Sequence, residues 1–223
     1  MAQKPMGLLV AGFDYSDAHA DEFNDWYDTE HIPERRRVAG FVNCERWVGA
    51  ENPKISIATY DLEALDVLKT GAYRAIAGEN LSPWSKRVTA KCQRICRFEA
   101  EQLPPGNQPA PAGAGGLMMY AMNVAPEAEA EFNAWYDEEH VPRLGAVPGC
   151  LSARRFRIVT ASSDGKQRYL AVYHLANPGI CSSDPWRQAA NTDWTAKMRP
   201  HFRDGLRIVL RRYERAGGGA ALA

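Results

Sequence analysis

Glu22 to Trp47 reads EFNDWYDTEHIPERRRVAGFVNCERW, and Glu131 to Phe156 reads EFNAWYDEEHVPRLGAVPGCLSARRF. At this offset of 109 residues, 12 of the 26 paired positions are identical without a gap. They include Trp26/Trp135, Tyr27/Tyr136, Asp28/Asp137, Glu30/Glu139, His31/His140 and Pro33/Pro142. A match of that density within one chain is the mark of a tandem duplication. Between the copies lies PPGNQPAPAGAGG, Pro104 to Gly116, whose proline and glycine content marks a linker with little capacity to form core. The expected organisation is a first unit over 1–103, a linker over 104–116, a second unit over 117–215 and a flexible tail over 216–223.

Each unit carries the same order of elements. The apolar run GLLVAGF predicts a buried first strand, followed by an acidic helix opening near Ser16 or Asp17. Pro33 lacks a backbone donor and disfavours helical geometry at Ile32, so the helix is expected to break near His31 and the chain to turn at Gly40. Phe41 to Val48 and Ile55 to Leu62 flank the turn-like GAENP and predict a hairpin. A helical stretch interrupted by Gly71, Gly78 and Pro83 follows, and Cys92 to Glu99 forms the last strand. The second unit repeats this from Leu117 to Tyr213. The pattern is βαββαβ twice, an α+β fold of two ferredoxin-like split βαβ units. One such unit leaves a sheet face bare, so the two are expected to pack sheet to sheet.

The repeated FNxWYDxEHxP, with its glycine turn and Arg-aromatic strand end, resembles the dimeric α+β barrel superfamily, and within it EthD-like and related bacterial proteins. That resemblance covers nearly the whole chain at the level of fold. It implies an intramolecular dimeric α+β barrel and a menu of small-molecule activities: isomerases, cyclases, cofactor-free monooxygenases and haem-binding enzymes. A fold shared so widely leaves the function to the site.

Composition narrows the classes. The 27 Lys and Arg balance 27 Asp and Glu, so no net field steers the chain to nucleic acid or an anionic membrane. Hydrophobic residues make up 45% and charged residues 24%, the proportions of a globular protein. The run from Met6 to Phe13 is far too short to span a bilayer and lacks the flanks of a signal peptide. Five irregularly spaced cysteines suit a reducing compartment, so the expected location is cytoplasmic. Cys92 and Cys96 are expected on one strand face, with too few companions for a metal site. The absence of HExxH, GxGxxG and GxSxG removes zincin, dinucleotide and α/β-hydrolase readings.

On a helix, Phe23, Trp26, Tyr27, Glu30 and His31 share one face, as do Phe132, Trp135, Tyr136, Glu139 and His140. The functional reading makes His31 or His140 the acid or base, with Glu30, Glu139, Asp28 or Asp137 setting its tautomer. Arg46 and Arg155 would hold a substrate oxygen, with Trp26 and Trp135 as aromatic walls. Tyr60 and Tyr173 align on the third strands, and their face is expected to look into the barrel lumen, where the ligand cavity should lie. The structural reading treats the histidines as helix-end caps and the Glu-Arg pairs as ties between helix and strand. Asp61 and His174 occupy matching positions that have diverged, which makes His174 and then His201 candidates for an asymmetric site. Arg35, Arg36 and Arg37 are expected on a solvated face.

These residues point to a cofactor-independent lyase or isomerase acting on an apolar, aromatic or cyclic carbonyl compound in catabolism. The alternative is a non-catalytic ligand-binding or accessory protein. A haem-dependent enzyme is a further option carried by the resemblance alone. No nucleic-acid or membrane partner is expected; two chains could pair as a homodimer of pseudo-dimers through sheet edges or helices.

Overall fold

The computed structural model describes residues 4–104, 106–161 and 166–215. The proposed tail over 216–223 lies outside them. The first half runs β1 (Gly7–Asp14), α1 (Ala20–Trp26), a π-turn (Tyr27–His31), α2 (Ile32–Arg36), β2 (Phe41–Gly49), β3 (Ile55–Leu62), α3 (Gly71–Arg74), α4 (Pro83–Thr89) and β4 (Gln93–Gln102). The second half repeats the order: β5 (Gly116–Val124), α5 (Glu129–Trp135), a π-turn (Tyr136–His140), α6 (Val141–Gly145), β6 (Cys150–Ala161), β7 (Tyr169–Leu175), α7 (Asp184–Ala190), α8 (Asp193–Met198) and β8 (Phe202–Arg212).

The strands form one closed barrel in the order β1-β3-β2-β8-β5-β7-β6-β4. Within it, β4-β1-β3-β2 and β8-β5-β7-β6 are antiparallel sheets of the same internal order. They join where Trp47 to Gly49 pair with Arg212 to Leu210, and where Phe98 to Gln102 pair with Ala161 to Phe156. Closure removes most of the free sheet edge through which a second chain could add. The first residues of β2 and β6 run beyond these closing pairs, and each carries a register shift there, at Phe41/Asn43 and Cys150/Ser152.

Three apolar clusters account for the packing. Leu8, Val10, Trp47, Ile57, Phe98, Met119, Phe156, Leu170 and Val172 meet between the sheets and fill the lumen. Leu9, Phe13, Phe23, Trp26, Tyr27 and Tyr60 pack between the first sheet and its helices. Met118, Met122, Phe132, Trp135, Tyr136 and Tyr173 do so in the second half. Strand β1 therefore reads as a continuous apolar run because both of its faces are covered. The lumen is packed core, which corrects the expectation that it holds the ligand cavity.

The turn at Gly40 has φ +91°, and a Cβ there would lie 2.5 Å from Cγ2 of Val67; Gly149, its counterpart, has φ +89° and would meet Cδ1 of Ile180 at 2.6 Å. Both positions need glycine on conformational and steric grounds. The first helix opens at Ala20, later than expected, because Asp14 accepts from the backbone N–H and hydroxyl of Ser16 and holds a turn there. The linker is less inert than its composition implies: Ala114 is fully buried in the lumen cluster, and Ala110 N–H donates to Asp61 at 2.6 Å.

Candidate functional site

The repeated motif builds a π-turn followed by a short helix, where a break at Pro33 was expected. Ile32 N–H donates to the carbonyl of Tyr27, and Val141 N–H to that of Tyr136, each spanning five residues. Pro33 and Pro142 stand in the first turn of α2 and α6, where the hydrogen-bond register returns from five to four. A residue without an N–H is tolerated at a helix start, so proline follows the π-turn without ending the helix. Single π-turns of this kind are frequent at functional sites.

The carboxylates of the motif are committed to holding the elements together. Asp28 pairs with Arg46 at 2.6 Å, and Arg46 also donates to Asn24 at 2.8 Å and lies 4.4 Å from the ring of Tyr27. Asp137, Arg155, Asn133 and Tyr136 repeat this, with the ion pair at 2.5 Å. Glu30 accepts from the Ser82 hydroxyl at 2.5 Å and from Ser85 at 3.1 Å, and Ser85 in turn accepts from the Trp26 indole. Glu139 accepts from Thr192 at 2.5 Å, and Trp135 donates to Thr195. Ser82 and Thr192 are also the N-caps of α4 and α8, so each glutamate ties the π-turn to the start of the helix beside it.

The histidines stand apart from these carboxylates. The imidazole of His31 lies 4.6 Å from the Trp26 ring and that of His140 lies 4.2 Å from Trp135. The Nδ1 of each is buried without a hydrogen-bond partner among the described residues. Burial disfavours the imidazolium, with the Arg155 and Arg199 charges acting in the same direction, and lowers the His140 pKa to about 3. Burial, then Arg35 and Arg46, hold His31 well below its ordinary value. Both rings are neutral at physiological pH.

Each histidine lines a cavity between its sheet and its helices, outside the barrel. The second-half cavity is the larger, about 480 Å³, and is walled by Met118, Met122, Trp135, Leu144, Trp186 and Phe202. His140, Thr195, Tyr120, Arg199 and Arg207 supply its polar groups. The first-half cavity encloses about 240 Å³ beside Trp26, His31 and Tyr60. Arg35 enters it where Leu144 stands in the second half, and Arg35 is 3% exposed, so only Arg36 and Arg37 lie on the expected solvated face.

Tyr60 and Tyr173 point toward the helices, the opposite of the expected lumen orientation, because Ile57, Leu170 and Val172 take the lumen face. Both phenol oxygens are buried without partners among the described residues. The diverged pair Asp61 and His174 lies on that lumen side. Asp61 pairs with Arg154 at 2.8 Å, while His174 faces Glu45 at 3.9 Å and the Trp47 ring at 5.9 Å. His201 sits in the 3-10 turn before β8, half-buried. Cys96 packs in the lumen cluster and Cys92 against the helix-side cluster; β4 begins at Gln93, one residue later than expected, so Cys92 lies in the bend after α4 and does not share a strand face with Cys96. No group of three or more metal-ligating side chains occurs among the described residues.

Sequence reasoning missed Arg199, Arg207, Met118, Trp186 and Phe202, which lie outside the repeated motif. One signal was available: the divergence of Arg35 from Leu144 inside the motif marks the half with the larger cavity.

Residues 117–207 match a family described as a domain of unknown function (DUF4286). No curated protein matches the chain. Among solved structures, an anthrone oxidase-like protein superposes with a TM-score of 0.66 at 12% identity, covering 99% of this chain and 97% of that one. A protein described as a candidate monooxygenase from Fusobacterium nucleatum gives 0.61 at 10% identity, with 96% and 94% covered. A mutant chlorite dismutase from Candidatus Nitrospira defluvii gives 0.57 at 9% identity, with 94% and 92% covered. These likenesses are of fold alone: a closed eight-stranded antiparallel barrel with helices on its outer side.

Proposed function

We propose that the second-half cavity binds a flat, apolar, aromatic carbonyl compound and that His140 takes a proton from it. The observation that carries this reading is a neutral imidazole facing an aromatic-walled cavity of about 480 Å³ that two arginines also line. That volume lies within the usual range for small-molecule sites, and so does the balance of many apolar walls with a few polar groups. Trp135 on one face and the Tyr136 ring edge-on at 5.2 Å fix the imidazole plane.

The proton transfer follows from electrostatics. A base with a pKa near 3 is weak, because an isolated imidazolium in this cavity is desolvated. Removing a proton from the substrate creates the imidazolium beside an enolate, and that pair offsets the desolvation. Arg199 and Arg207 are placed to receive the enolate oxygen. The enolate is the common first intermediate of isomerisation, of elimination and of reaction with dioxygen. The lyase or isomerase expectation and the oxidase and monooxygenase descriptions of the fold neighbours therefore meet at one step. Glu139 has no part in it as a proton carrier; it holds the π-turn that presents His140.

A haem-dependent reading fits the residues poorly. A ligating histidine nearly always donates its second ring N–H to a carboxylate, a carbonyl or water, which fixes its tautomer and raises its basicity. Neither His31 nor His140 has such a protein partner at Nδ1 among the described residues.

The binding half of the proposal is tested by tryptophan fluorescence, since Trp135 and Trp186 line the cavity. A tricyclic aromatic ketone should quench the emission saturably. Leu144→Arg, which copies the first half's residue, should weaken that binding by about tenfold or more. Unchanged quenching in a folded Leu144→Arg protein would place the ligand elsewhere.

A further inference from the structure

We propose that the first-half cavity is a second ligand site, selective for a small aromatic carboxylate. The duplication provides two cavities in equivalent places, and they differ in charge as well as size. Three guanidinium groups, those of Arg35, Arg94 and Arg97, line the first, and among the described residues no carboxylate does. One of its cations is buried: Arg35 is 3% exposed, whereas Arg94 is exposed, Arg97 is half-buried and paired with Glu99 at 2.6 Å, and Arg199 and Arg207 of the second cavity are exposed.

The hydrogen-bonding capacity of Arg35 is only partly used. Its Nη2 donates to the Ile76 carbonyl at 3.0 Å, and its Nη1 reaches the Glu34 carboxylate at 3.3 Å, a long contact. A guanidinium carries five donors in a planar fork suited to two carboxylate oxygens. The Tyr60 side chain lines the same cavity at 1% exposure, and its hydroxyl has no hydrogen-bond partner among the described residues. A buried donor left unpaired is costly, and a carboxylate oxygen would satisfy it. The remaining wall, with Leu9, Phe13 and Trp26, is apolar and aromatic. At about 240 Å³ the space is below the range of drug-sized sites, which limits the occupant to about one ring.

Benzoate is the probe, with benzyl alcohol as its neutral counterpart, both titrated into the full chain by calorimetry and followed by the imidazole proton signals. Saturable benzoate binding at millimolar concentration should shift the His31 signals and leave those of His140 in place. Benzyl alcohol should bind at least about tenfold more weakly, and Arg35→Leu, which copies Leu144, should weaken benzoate by a similar factor. Arg35→Lys should retain part of the affinity, because it keeps the charge and loses the fork. The wild-type shift pattern decides the matter even if Arg35→Leu does not fold. Benzoate that moves His140 alone, equal binding of the alcohol, or no saturable binding at millimolar concentration would each overturn the site. None of these outcomes depends on the chemistry assigned to the second cavity.

Discussion

His31, His140 and His174 are buried as neutral rings, and the consequence for stability has a definite sign. Burial is the leading cause in all three, lowering His140 and His174 to about 3 and His31 well below 6.5. The unfolded chain binds these protons near pH 6.5, so between that value and the folded pKa the unfolded state holds more protons. The stability is fully present above about pH 6.5 and is lost as pH falls, toward 3 for His140 and His174, by about 1.4 kcal/mol per pH unit for each of these two, with His31 acting in the same direction. Urea denaturation across this window should show that slope, and His174→Phe should reduce it by about one histidine's share. Stability that stays level from pH 6.5 to 4 would show that the rings are protonated in the fold.

At the scale of elements, the repeated motif is a clamp between a π-turn and the next helix. Ser82 and Thr192 each serve two roles, capping a helix and donating to a motif glutamate. Thr192→Val removes both and should cost about 1–3 kcal/mol in denaturant unfolding, above the usual loss of an N-cap alone. Glu139→Gln, which keeps a carbonyl acceptor for the Thr192 hydroxyl, should cost less than Glu139→Leu. If the two glutamate variants are equally stable, the hydroxyl contact contributes nothing. The strands, the hairpins and the glycine turns were legible in the sequence because apolar runs and turn residues report local geometry. The π-turn was not. Helical periodicity assumes four-residue spacing, and Pro33 reads as a stop unless the register change before it is known.

The whole molecule shows why the site lay on the unexpected side of the sheet. Two helix-covered sheets closed into a barrel leave the lumen as the driest region, and sixteen buried apolar residues fill it. Alternation along β3 and β7 identified two faces, yet local sequence does not say which face meets the other sheet. The recurring order of strands and helices was plain from the repeat; the direction of Tyr60 and Tyr173 depended on long-range closure. The lumen also encloses the Asp61–Arg154 pair, whose side chains are 3% and 1% exposed. Asp61→Leu should destabilise the barrel by about 3–5 kcal/mol by leaving the guanidinium unpaired, and adding Arg154→Leu should recover much of the loss. A double variant no more stable than the single one would show that the apolar replacement does not fit. No helix among the described residues is long and apolar enough to cross a membrane.

Proton transfer at His140 in the second-half cavity is tested most directly by hydrogen–deuterium exchange at the acidic C–H of a tricyclic aromatic ketone in deuterated buffer. Nuclear magnetic resonance follows the label whether the enolate then isomerises, eliminates or is oxidised. The wild-type protein should accelerate exchange, His140→Ala should lower the acceleration by about 10²–10⁴-fold, and His31→Ala should leave it nearly intact. Exchange that survives in a folded His140→Ala protein, or that falls with His31→Ala instead, would contradict the assignment.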